Sequence, residues 1–207
     1  MNPHQINAQL AQIEANHSNG NELMQSRRTF LKLGAATVAG ILLAGLPDIA
    51  IANQDDFWFK DRVLTLKRQD NKESATICFF KNGRYDPDAY HHACWVLRDA
   101  KDGNQMASMD TGLLNLLYAN QQWAREAGIP NPEIIVNSAY RTARRNAHIE
   151  GAAKNSLHTK GQAVDITMKG INLGQLNRMV DYFQVGGVGI YDTFLHVDTG
   201  RVRRWKG

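Results

Sequence analysis

Asp165 stands in an otherwise apolar run, Ala163-Val164-Asp165-Ile166, and His196 stands in another, Phe194-Leu195-His196-Val197. A carboxylate buried in such a strand requires a cation or strong hydrogen bonds. His158 precedes Asp165 in Ser156-Leu157-His158-Thr159-Lys160-Gly161-Gln162-Ala163-Val164-Asp165, and the intervening Gly161 permits a close approach of loop to strand. Two imidazoles and one carboxylate form the donor set of a catalytic zinc site, with the fourth position left to water. Zinc in such a site lowers the pKa of its water toward neutrality and polarises a peptide carbonyl. The alternative is three separate core residues, each satisfied by its own hydrogen bonds. His91, His92 and His148 read as structural, the last within the polar stretch Arg144 to Glu150.

The elements that must carry these residues follow from periodicity. Residues 62–68 (RVLTLKR) alternate apolar and charged side chains as a half-buried strand does, and residues 74–80 (SATICFF) read as its partner. Lys81-Asn82-Gly83-Arg84 then carries an Asn-Gly turn signal. Asp88 is predicted to cap a helix through Ala89, Cys94 and Leu97. Asp110 is predicted to cap a stronger one from Thr111 to Ala127, where Leu113, Leu114, Leu117 and Trp123 recur at helical spacing before Gly128 and Pro130. Glu133 to Asn137 reads as a buried strand running into Ser138-Ala139-Tyr140-Arg141, and Ala163 to Met168 as another. Leu173 to Phe183 reads as a helix, Gly186 to Ile190 as a glycine-rich bend, and Phe194 to Asp198 as a strand near the end. The order predicts one α+β domain, a small antiparallel sheet flanked by helices, with the polar residues on its strands.

The 207 residues include 24 Lys+Arg against 20 Asp+Glu, a formal charge of +4, with 43% hydrophobic and 21% charged residues. That composition is not that of a disordered chain. The charge is too modest, and lacks the basic stripe or reading motif, for nucleic acid to be the partner. Two cysteines, Cys78 and Cys94, exclude a disulfide-stapled miniprotein and a four-cysteine zinc site. In an oxidising compartment they either pair or remain buried thiols.

The first quarter does not read as fold. Residues 1–25 contain no Lys or Arg; Ser26-Arg27-Arg28-Thr29-Phe30-Leu31-Lys32 follows, then an apolar stretch from Leu33 to Leu46 and the small-x-small site Ala50-Ile51-Ala52. These are the parts of a secretory signal, and the paired arginines before Phe-Leu-Lys resemble a twin-arginine export signal. The apolar stretch is shorter than the roughly 20 residues that span a bilayer. The predicted division is a signal peptide over 1–52 and a single domain over 53–207, carried to the periplasm by the twin-arginine translocase and left with no membrane span after cleavage.

Ser156 to Asp165, with His196-Val197-Asp198, resembles the zinc D,D-carboxypeptidase and murein endopeptidase family, which shares its fold with hedgehog signalling domains. The likeness narrows to the murein endopeptidase K-like (YcbK-type) branch. It does so through Ala139-Tyr140-Arg141-Thr142, Ala153-Lys154-Asn155-Ser156-Leu157-His158, Gly186-Gly187-Val188-Gly189 and the ending His196-Val197-Asp198-Thr199-Gly200 with Arg201 to Trp205. Tyr90 to Asp99 and the leucine-rich helix after Asp110 also fit, so the resemblance covers nearly all of the domain.

That resemblance implies a hedgehog/D,D-peptidase-like fold, Zn2+ held by His158, Asp165 and His196, and peptidoglycan stem peptides as substrate. Arg141 matches the family's strand-end arginine, which binds substrate or stabilises an oxyanion, tasks suited to a fixed guanidinium. A surface salt bridge is its alternative. Ser156 either hydrogen-bonds the substrate backbone or orients the His158 loop. Many relatives carry an acidic general base three residues before the last histidine, but Thr193 occupies that position here. Asp198, on the same side of an extended strand as His196, is predicted to be the base or to hold the ligand, and Asp192 is the other candidate. The basic tail Arg201, Arg203, Arg204 and Lys206 is either a solvated end or a contact for acidic peptidoglycan carboxylates.

The implied reaction is hydrolysis of peptide cross-links in murein, those between two diaminopimelate residues included. A D,D- or L,D-carboxypeptidase trimming stem peptides is the enzymatic alternative. A zinc-stabilised murein-binding module without catalysis is the other, and Thr193 is the feature that favours it.

Overall fold

The computed structural model describes residues 57, 58 and 60–207. The signal expected over 1–52 lies outside the described residues. The elements are β1 (Arg62–Arg68), β2 (Ser74–Lys81), β3 (Arg84–Tyr85), α1 (Pro87–Val96), α2 (Thr111–Glu126), β4 (Ile134–Ser138), α3 (Ala143–Ala147), a 3-10 turn (Leu157–Lys160), β5 (Ala163–Met168), α4 (Leu173–Tyr182), β6 (Gly187–Ile190), β7 (Leu195–Asp198) and β8 (Arg203–Lys206).

The strands form one sheet in the order β3-β2-β1-β4-β5-β7-β6-β8. The class is α+β, as expected. The sheet is larger than expected, and it is mixed: β1 pairs with β4, and β6 with β8, in parallel, while the other pairings are antiparallel. The alternation in β1 sends Leu64 and Leu66 into the core. Asn82 and Gly83, at φ 53° and 78°, form the two-residue turn between β2 and β3, both in the left-handed region such a hairpin demands. Helix α1 packs on β2, α2 on β1, and α4 on β5, β6 and β7. The leucine face of α2 (Leu113, Leu114, Leu117) belongs to the same apolar core as Val164, Ile166, Leu195 and Val197.

Three local expectations change. Asp86, not Asp88, caps α1: its carboxylate accepts from the Ala89 amide at 2.9 Å and Pro87 opens the helix, where its missing N–H costs nothing. Within Gly186 to Ile190, read as a bend, Gly187–Ile190 forms strand β6, and the tail, while it keeps Arg201, Arg204 and Lys206 exposed, is ordered as β8 with Arg203 and Trp205 partly covered. Glycine in a strand marks close approach of another group, and here the group is Trp205. A Cβ on Gly189 would lie 2.4 Å from its indole. The cysteines do not pair: Cys78 on β2 and Cys94 in α1 are free thiols, and burial pushes both up, Cys94 to about 11. Among the described residues no helix is long and apolar enough to cross a membrane.

Asp110 ties the helical layer to the strand that carries His196. One carboxylate oxygen accepts from the Gly112 amide at 2.7 Å, capping α2, and the other from Thr199 Oγ1 at 2.7 Å, just beyond β7. Asp110→Ala removes both bonds, so urea unfolding should show a loss of about 1–2 kcal/mol with an unchanged m-value.

Candidate metal centre

The register of β5 on β7 sets Asp165 directly opposite His196. Alternation then divides each strand. Val164, Ile166, Leu195 and Val197 join the core cluster, so Asp165, His196 and Asp198 point to the other face. A shift in β4 between Val136 and Ser138 brings Ser138 opposite Asp165 and aims the following Ala139-Tyr140-Arg141 at the same place. His158 arrives on the 3-10 turn. Ser156 caps that turn, its Oγ accepting from the His158 amide at 3.3 Å, and Gly161 ends it at φ 68°. Gly161 is required twice over, by its left-handed conformation and because a Cβ there would stand 2.2 Å from the Ser108 carbonyl.

Three atoms converge. His158 Nε2 lies 3.2 Å from Asp165 Oδ1, His196 Nδ1 lies 2.9 Å from the same oxygen, and the two nitrogens are 3.2 Å apart. The outer ring nitrogens determine what the inner ones present. His158 Nδ1 is 2.7 Å from the Ala139 carbonyl and His196 Nε2 is 3.0 Å from Asp198 Oδ2. A carbonyl or carboxylate oxygen only accepts, so both outer nitrogens carry the hydrogen and donate. In neutral rings the inner nitrogens then aim lone pairs at a carboxylate oxygen, three acceptors with no hydrogen among them. Such a group calls for a cation at its centre. The spacing suits one, since two ligands each about 2.0–2.1 Å from a tetrahedral zinc lie roughly 3.3 Å apart. His158, Asp165 and His196 form the one cluster of potential metal donors among the described residues.

Charge is arranged accordingly. Burial lowers the His158 pKa and favours its neutral, ligating form. Burial alone would raise Asp165, but in the metal-free protein the imidazoles of His158 and His196 beside it and the charge of Arg141 outweigh it, holding the carboxyl well below its usual range. For His196 burial pulls down, while the bonds to Asp165 and Asp198 prevail and raise its pKa. A metal ion and a proton therefore compete for that ring.

Arg141 is not a surface salt bridge. Its Nη2 pairs with Asp165 Oδ2, its Nε donates to Ser138 Oγ at 2.7 Å, and its side chain is 13% exposed. It occupies one oxygen of Asp165 and leaves the other facing the histidines. Ser156 holds the turn through its capping bond. Asp198 is behind His196, fully buried. Its Oδ1 accepts from Gly187 N at 2.9 Å and Gly200 N at 2.8 Å, and its Oδ2 from His196 and from Arg203 at 2.6 Å. Burial would raise its pKa, but these bonds bring it down to about 2. Asp192 and Thr193 are exposed in the turn before β7, and His92 and His148 are exposed away from the cluster. Sequence reasoning missed the Ala139 carbonyl and the places of Arg203 and Trp205 behind His196. The alternation of Arg203 and Trp205, and the glycines of β6 that face them, were the available signal.

Residues 58–205 match the protein family described as peptidoglycan L,D-endopeptidase MepK. A Haemophilus influenzae protein named "probable peptidoglycan L,D-endopeptidase MepK" is 35% identical over 193 residues, 90% of this chain and 99% of that protein. The Escherichia coli K12 protein named "peptidoglycan L,D-endopeptidase MepK" is 33% identical over 186 residues, 87% of this chain and 97% of that one. No solved structure matches significantly.

Asp165 neutralises a largely covered guanidinium while its second oxygen faces two imidazoles. Asp165→Ala leaves Arg141 without a counter-ion, a change that costs about 3–5 kcal/mol in buried pairs. Chemical unfolding of the metal-free protein should show a loss of that order. Zinc should raise the unfolding midpoint of the wild type and leave that of Asp165→Ala and His158→Ala unmoved.

Proposed function

The chain belongs to the peptidoglycan L,D-endopeptidase MepK family, and on that premise we propose that it is an exported, zinc-dependent hydrolase of L,D peptide cross-links in peptidoglycan. The observation that carries this reading is the convergence of His158 Nε2, Asp165 Oδ1 and His196 Nδ1, with the outer nitrogen of each ring within hydrogen-bond distance of an oxygen acceptor. Bound there, zinc supplies a Lewis acid and a water of lowered pKa. His158, Asp165 and His196 hold it, two neutral nitrogens and one anionic oxygen, the donor set that leaves a catalytic position open.

The chain's other residues serve the substrate and the ligands. Arg141, adjoining the donor set through Asp165, positions the stem peptide and offsets negative charge developing on its carbonyl oxygen. Ser156 orients the His158 turn, the role its capping bond supports. Asp198 has both oxygens engaged and its proton affinity depressed, so it serves His196 as a positioning residue and is poorly suited to take a proton at neutral pH. Asp192, exposed in the turn before β7, is the nominated carboxylate that such bonds do not tie down. Residues 1–52 serve as a twin-arginine signal and residues 53–207 as the mature domain, acting in the periplasm where its substrate lies. The composition of the signal, three basic and three acidic residues, leaves the +4 charge with the domain that meets the anionic wall.

Zinc-loaded protein incubated with isolated murein should release muropeptides whose masses match cleavage of L,D cross-links, and His158→Ala should lose both zinc and hydrolysis. Loss of only a terminal D-amino acid would make the enzyme a carboxypeptidase. Unchanged muropeptides with retained binding would make the domain a non-catalytic module. A His158→Ala protein that still cleaves would overturn the metal reading.

The assignment of Asp198 has its own readout. At saturating zinc, Asp198→Asn should keep kcat within about tenfold of wild type, whereas loss of a general base costs roughly 10²–10⁴-fold.

A further inference from the structure

The C-terminal strand makes an unexpected connection to the centre. In β8, paired in parallel with β6, Arg203 lies opposite Gly187 and Trp205 opposite Gly189. Arg203 reaches over Gly187 to Asp198 with both guanidinium nitrogens, Nη1 to Oδ1 at 3.1 Å and Nη2 to Oδ2 at 2.6 Å. A Cβ on Gly187 would come within 2.5 Å of both Arg203 Nη1 and Asp198 Oδ2, so the glycine is what opens the path between the strands. Trp205 covers Gly189, its indole N–H directed to the Tyr191 hydroxyl at 3.2 Å, and its ring lies 5.2 Å from that of His196. Arg203 in turn stands 4.9 Å from the Trp205 ring.

We infer that Arg203 is a positioning residue for the metal centre. It acts on His196 through Asp198. A carboxylate gripped at both oxygens can turn about neither its χ angles nor its plane, so the oxygen facing His196 Nε2 is fixed in place. That bond decides which ring nitrogen carries the hydrogen and which way the other aims. Trp205 closes one side of the imidazole, so the ring's rotation is limited as well as its tautomer. The inference rests on the metal reading of His158, Asp165 and His196. Asp198 and Arg203 are five residues apart in sequence but belong to different strands, and the fork needs arginine in particular. A lysine supplies one compact charge and cannot grip both oxygens at fixed geometry.

The neighbouring arginine provides the control. Arg204 is on the same strand and also makes an ion pair, with Asp181, and donates to the Gly186 carbonyl at 2.8 Å. Its loss weakens the seating of β8 without touching Asp198.

The test is the zinc affinity of the full chain, read by competition with a chromophoric chelator, for wild type and for Arg203→Ala, Arg203→Lys and Arg204→Ala. Arg203→Ala should bind zinc about 10–100-fold more weakly, Arg203→Lys should fall between it and the wild type, and Arg204→Ala should bind as the wild type does even where its unfolding midpoint drops. Combining Arg203→Ala with Asp198→Asn should weaken zinc binding no more than the stronger single change, because both break one chain of contacts. If Arg203→Ala does not fold, Arg203→Lys against Arg204→Ala decides the matter. Wild-type affinity in the Arg203 variants, or equal losses for Arg203 and Arg204, overturns the inference while leaving the metal centre standing. A wild-type protein that binds no zinc overturns both.

Discussion

Two imidazole nitrogens and one carboxylate oxygen held 2.9–3.2 Å apart are the constraint on which the rest of this structure depends. With both rings neutral they repel, and in a buried setting the repulsion is not relieved by water. The fold nonetheless keeps them together, by ordinary means. Asp165 and His196 meet because they are cross-strand partners in β5 and β7. His158 joins them because a short turn, capped by Ser156 and ended by Gly161, lies against the strand. Each imidazole is then locked from behind, one by a backbone carbonyl and one by a carboxylate. A cation at the centre converts the repulsion into binding.

The cost of holding the donors in place is spread over the neighbouring elements. Arg141 offsets the charge of Asp165 from the β4 side. On the other side Asp198, itself fully buried, is satisfied by two backbone amides and by Arg203. The glycines around β6 and β7 make that possible in a literal sense. Gly186, at φ 60°, would put a Cβ 1.7 Å from the Asp198 carbonyl oxygen, and Gly187 would block Arg203. A side chain at either position forces apart strands whose separation sets the position of His196. Family-wide likeness to peptidoglycan L,D-endopeptidases therefore has a physical counterpart in this chain, in a donor set and in the packing that aims it.

Much of this was legible in the sequence because the polar residues broke apolar strands. Asp165 between Val164 and Ile166, and His196 between Leu195 and Val197, could not be ordinary core. The strand 62–68 emerged from alternation, the strand 163–168 from its apolar run and the cap at Asp110 from capping chemistry. What was not legible depended on contacts between distant segments. Glycine has low strand propensity, so β6 read as a bend until Trp205 supplied the reason for its glycines. The tail read as loose charge because nothing local says that Arg203 finds Asp198. Asp198 itself was nominated as base or as ligand holder, and only the occupancy of both its oxygens argues between the two. Parallel pairings such as β1 with β4 join segments far apart in the chain and leave no local signal.

The central claim is that His158, Asp165 and His196 bind one zinc through two nitrogens and an oxygen. X-ray absorption at the zinc edge on the purified, zinc-loaded protein tests it most directly. It should show one zinc per chain with nitrogen and oxygen neighbours at about 2.0–2.1 Å and the multiple-scattering pattern of two imidazoles. Sulfur neighbours at about 2.3 Å, or a protein that retains no zinc, would contradict it.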